Sequence, residues 1–111
     1  MTRLVPLLVA ALWSAACGGR PPLVAVQPGP PLRLVAATGV RINARLKPAL
    51  ELDDGTVLRF DSPRLTPDSA YFAAAPTVAP PTSGSRHGTL RLSVCPPSEK
   101  VCRLVVMAVA W

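Results

Sequence analysis

The residues of this chain best suited to chemistry are its three cysteines, Cys17, Cys95 and Cys102. Six residues separate the last two, Pro96-Pro97-Ser98-Glu99-Lys100-Val101, and the proline pair turns the chain directly after Cys95. In an oxidising compartment two such neighbours pair. A hairpin with the cysteines at the facing ends of its strands brings their Cα atoms within the roughly 4.4–6.8 Å that a disulfide spans. The bond could act as a staple, worth on the order of 2.5 kcal/mol for a closed loop of about eight residues. It could also exchange electrons with a second protein, which requires a sulfur that an attacking thiolate can reach. Lys100 and Arg103 flank the pair and favour thiolate. The residues alone leave staple and exchange centre both open.

Other reactive types point elsewhere. Asp53-Asp54 precedes Gly55 between two alternating runs, so this carboxylate pair reads as turn formers and not as an acid–base couple. The single His87 falls in a Pro/Ser/Gly-rich loop over 76–88 and reads as a solvated side chain. One histidine excludes a multi-histidine metal site, and there is no CxxC, HExxH or glycine-rich phosphate loop. No metal and no cofactor is expected.

The elements that would position the cysteines are strands. In Thr89–Cys95, Leu90, Leu92 and Val94 share one face, while Thr89, Arg91, Ser93 and Cys95 share the other. This parity puts Cys95 on the polar face, within reach of a partner. Val101 to Trp111 is an almost unbroken apolar run and reads as a central strand buried on both faces. Upstream, Val40, Ile42, Ala44 and Leu46 alternate with Arg41, Asn43, Arg45 and Lys47 until Pro48 ends the run. Leu50 and Leu52 lead through Asp53-Asp54-Gly55 into Thr56–Phe60, a hairpin signal. Asp61–Pro67 reads as a loop and Ala70–Val78 as a short strand carrying Tyr71 and Phe72. With no long amphipathic helix and no internal repeat, residues 32–111 are expected to form a small, all-β, antiparallel sandwich.

The chain has 111 residues, 14 of them proline, with 50% hydrophobic, 5% aromatic and a formal charge of +6. That excludes a multi-domain enzyme, a large enclosed cofactor and a disordered chain. Met1-Thr2-Arg3, an apolar run Leu4–Trp13 and small residues to Ala16 read as a signal peptide over 1–16, too short to span a bilayer. Ala15-Ala16-Cys17 resembles the lipobox of bacterial lipoproteins, which would make Cys17 a lipidated first residue; Ser14 stands where that motif has an aliphatic residue, and ordinary cleavage after Ala16 is the alternative. Gly18 after the cysteine points to the outer membrane. Residues 17–31, with five prolines and three glycines from Gly18 on, read as a polyproline-like spacer reaching roughly 40 Å. The basic residues are scattered without aromatic interleaving, so they read as a solvated surface; no nucleic-acid partner is expected, and a surface near anionic lipid is the alternative for an exported chain.

The segment Val40-Arg41-Ile42-Asn43-Ala44-Arg45-Leu46-Lys47-Pro48, the Gly-containing turn, the proline loop and the closing Cys…Cys hairpin together resemble the N-terminal periplasmic domain of the thiol:disulfide interchange protein DsbD, in a stand-alone form. The resemblance covers roughly Leu32 to Trp111. It implies an immunoglobulin-like sandwich with one reversible disulfide, Cys95–Cys102, of which one cysteine is attacked and the other resolves. It implies a loop shielding that disulfide, with Tyr71 and Phe72 as candidates. It also implies a thioredoxin-like or membrane redox partner acting in trans, in the periplasm. The competing expectations are a structural or binding envelope lipoprotein whose disulfide only staples, and a membrane-surface module using the basic run Arg41 to Lys47.

Overall fold

The structure is a computed structural model and describes residues 22–111. The expected signal peptide and Cys17 lie outside the described residues. Eight strands are described: β1 (Val24–Gln27), β2 (Leu32–Ala36), β3 (Arg41–Ile42), β4 (Ala49–Leu52), β5 (Val57–Arg59), β6 (Thr77–Val78), β7 (His87–Cys95) and β8 (Arg103–Ala110). All pairings are antiparallel. One sheet has the order β1-β2-β6. In the other, β7 takes β3 and β4 along one edge and β8 along the other, with β5 outside β4. The domain is all-β, as the alternating runs require.

The two sheets meet in one apolar cluster. Val24, Leu32 and Leu34 of the first sheet join Ile42, Leu50, Leu52, Leu90, Leu92, Val94 and Val109 of the second, with Phe60 fully buried between. The expected face of β7 is the face that turns inward. At the hairpin after β4, the Asp54 carboxylate accepts from Thr56 N–H at 2.9 Å and Gly55 N–H donates to Leu52 C=O at 2.9 Å. The two aspartates are therefore turn residues, as read. Gly88 has a different reason: a Cβ there would collide with the Glu51 carbonyl and come within 2.9 Å of Leu52 Cα. Only a glycine lets β4 lie against the start of β7.

The structure corrects four expectations. Val24–Gln27, expected within the 17–31 spacer, pairs with Arg33–Ala36 as a strand; Pro22 and Pro28 flank these four residues without interrupting their alternation. The Val40–Lys47 run gives only a two-residue strand. After Ile42 the Asn43 side chain accepts the backbone N–H groups of Arg45 and Leu46 at 2.8 and 3.1 Å and bends the chain, leaving Leu46 exposed. Ala70–Val78 contributes a strand only at Thr77–Val78, plus isolated bridges at Tyr71 and Phe72. Finally, the apolar run ending at Trp111 is not central. Among the described residues β8 pairs β7 alone, and Leu104 and Val106 are 65% and 54% exposed.

Candidate functional site

The β7–β8 ladder runs in register from His87 opposite Ala110 to Val94 opposite Arg103. The next facing pair is Cys95 and Cys102, whose Cα atoms are 4.1 Å apart and whose sulfurs are bonded. The expected hairpin disulfide is thus present. It lies where the second sheet ends, beside the turn that Glu99 N–H closes on Pro96 C=O at 3.2 Å. The turn is braced by Gly39 of the β2–β3 loop, whose backbone has φ 81°. A Cβ at Gly39 would sit 3.1 Å from Pro97 Cγ.

The two sulfurs occupy different surroundings. Cys95 keeps the parity expected of it, opposite Leu90, Leu92 and Val94, but it is only 3% exposed. Polar-face parity therefore did not bring access. Tyr71, 24 residues upstream, lies against Cys95, and its hydroxyl donates toward Cys95 Sγ at 3.8 Å. Arg41, the register partner of Cys95, lays its guanidinium 4.2 Å over the Tyr71 ring. Cys102 is exposed, as are Lys100 and Val101 beside it.

The loop that carries Tyr71 is held from within. Leu65 bridges Phe72, and Thr66 and Tyr71 exchange backbone hydrogen bonds, directly and through the Thr66 hydroxyl. Asp68 accepts from the Thr66 hydroxyl at 2.7 Å and from Ala70 N–H at 3.0 Å. These two bonds, the first above all, hold its carboxyl below the usual range. Phe72 N–H donates to Ile42 C=O, and the ring packs against the core. Of the two candidate shielding residues, Tyr71 lies on the disulfide and Phe72 faces away from it.

Arg103 was expected to act on the sulfurs. Its Nε instead donates to Glu99 at 3.0 Å, its second guanidinium nitrogen takes the other carboxylate oxygen, and its pKa is raised accordingly. Lys100 takes part in none of the ion pairs among the described residues, and it is the cation left beside Cys102. His87, expected in a loop, begins β7, and its Nδ1 meets the Asp53 carboxylate. Both side chains are more than half exposed, and Ser85 Oγ donates to the His87 carbonyl, not to the ring. They form a surface pair with no nucleophile in line. No group of three or more metal-ligating side chains occurs among the described residues. Sequence reading missed both Arg41 and the bonds that fix Tyr71; the only signal was an aromatic pair set between two proline-rich loops.

No family model, no curated protein and no solved structure matches this chain.

Proposed function

We propose that this chain is an exported thiol–disulfide exchange domain, held at the envelope membrane by a lipid on Cys17, with Cys95–Cys102 as its exchange centre. The observation that carries the reading is the asymmetry of the pair: one cysteine exposed, the other buried against Tyr71. A partner thiolate attacks Cys102 Sγ, a mixed disulfide forms, and the Cys95–Cys102 bond breaks with Cys95 leaving as thiolate. Arg41, the register partner of Cys95, brings a positive charge to this part of the sheet, which favours a thiolate. The partner's second thiol then attacks the mixed disulfide and frees Cys102. Two electrons and two protons have passed to this domain, and the partner carries a new disulfide. The reverse sequence reduces an oxidised exported protein. A thioredoxin-like or membrane-bound dithiol protein, acting in trans, is the partner chemistry that fits.

The test is equilibration of the purified domain in glutathione and dithiothreitol buffers, with free thiols counted by alkylation. A potential above about −300 mV, in the range of exchange proteins, is expected. Reduction only below that value leaves a staple, which closes a hairpin already paired along its length. Cys95→Ser is expected to accumulate a partner on Cys102, and Cys102→Ser to accumulate none. Lipid labelling lost in Cys17→Ala checks the anchor; soluble export of the unchanged chain overturns it.

A further inference from the structure

Among the described residues β8 uses only one of its edges, for β7, and β1 only one of its edges, for β2. Between them opens a cleft of about 600 Å³, lined mainly by Leu23, Val24, Val40, Pro97, Val105 and Met107. This side of the sandwich is mainly apolar, with the Glu99–Arg103 pair at one end of the cleft, and among the described residues the outer backbone of β8 is unpaired. Such an edge invites another strand, and folded domains normally blunt it with inward charges, prolines or bulges. From Leu104 to Ala110, β8 has none of these: Leu-Val-Val-Met-Ala-Val-Ala.

We infer that this side is a docking site for one extended segment of another protein, added as a strand to β8, with apolar side chains at alternate positions and acidic residues at both ends. Eight residues of β8 give a ledge of roughly 27 Å. Every second side chain of an added strand would point into the cleft, and the alternate ones would lie beside Leu104 and Val106. The acidic ends follow from charge. Lys100 stands in the turn before β8, whose first residue, Arg103, is already held by Glu99. Arg86 stands at the end of β8, where its Nε donates to Trp111 C=O at 3.0 Å. The one acidic group of this hairpin, Glu99, is engaged by Arg103. A second copy of the chain fits less well. Symmetric pairing of two β8 strands sets two chains of net positive charge against each other. The inference goes beyond the exchange reading and does not depend on it.

The probe is a fluorescein-labelled peptide of four valines alternating with three threonines, capped by two glutamates at each end. It is titrated with the disulfide-intact protein and followed by anisotropy and by backbone amide shifts. Saturable binding is expected, with shifts concentrated in Arg103–Ala110 and Val24–Gln27. Replacing the glutamates by lysines should weaken binding at least tenfold, and so should a proline at the central threonine. Met107→Lys, which places a charge in the cleft, should do the same; the amide spectrum of that variant reports whether it is folded, and the two altered peptides carry the test if it is not. Absence of saturation at 1 mM peptide, shifts elsewhere, or equal affinity for the lysine-capped peptide would overturn the proposal. So would a concentration-dependent dimer in sedimentation that Met107→Lys abolishes, since a second copy would then own the edge.

Discussion

Tyr71 decides how the two sulfurs differ, and its effect can be measured. Tyr71→Ala should expose Cys95 and speed reduction by dithiothreitol several-fold at neutral pH, with little loss of stability because the ring is only half-buried; an unchanged rate would show that the ring is no barrier. Asp68 acts one step further back. Its folded pKa lies below the unfolded value of about 3.9, so its contribution is complete above that value and is lost as the pH falls through the folded pKa. Asp61, lowered by Lys47 and then by Ser62 N–H, and Asp54, lowered by Thr56, follow the same sign. Thermal stability should therefore fall on acidification below about pH 4. Asp68→Asn should loosen the Tyr71 loop at pH 7 and blunt that fall, which melting curves at a series of pH values would read. At Gly88 the constraint is steric. Gly88→Ala should cost about 3 kcal/mol, the upper end of overpacking, measured by denaturant unfolding.

Elements show which physical signals survive in a sequence. β7 was legible because a two-residue period across Leu90, Leu92 and Val94 has one explanation, a half-buried strand. The β4–β5 hairpin was legible from Asp-Gly chemistry, and the disulfide from two cysteines across a turn. β1 was hidden because five prolines over 18–31 outweigh four residues of alternation, although the prolines punctuate the strand without entering it. β8 misled for the opposite reason: an apolar run signals burial on both faces, but burial needs a neighbour, and no local pattern reports that the sheet stops there. The Tyr71–Cys95 contact was beyond reach because it joins residues 24 apart through a loop whose path is set by Asp68 and Asn43. The β7–β8 ladder gives a prediction at this scale: replacing both Cys95 and Cys102 by serine should leave the domain folded and less stable by about 2.5 kcal/mol, read as a shift in denaturation midpoint.

At the scale of the molecule, one cluster holds both sheets, and Phe60 stands at its centre with no exposure. Phe60→Ala should cost roughly 3–5 kcal/mol, a large share of the stability of so small a domain, and should lower the melting temperature by well over ten degrees. The all-β class followed from composition and period. The division of the strands into a three-stranded and a five-stranded sheet did not, since it depends on which edges are left open.

The early start of β1 shortens the leash. Pro22 and Leu23 border the same cleft as Pro96 and Pro97, so the chain enters the domain at its sulfur-bearing end. With an acyl group on Cys17, as proposed, only Gly18 to Leu23 separate it from β1. Cys102 would then patrol a thin shell above the leaflet, meeting thiols that project from the bilayer far more often than those adrift in the bulk. Splicing a long glycine–serine tract after Pro21 should widen that shell and relax the preference, as competition between tethered and free dithiol proteins would record.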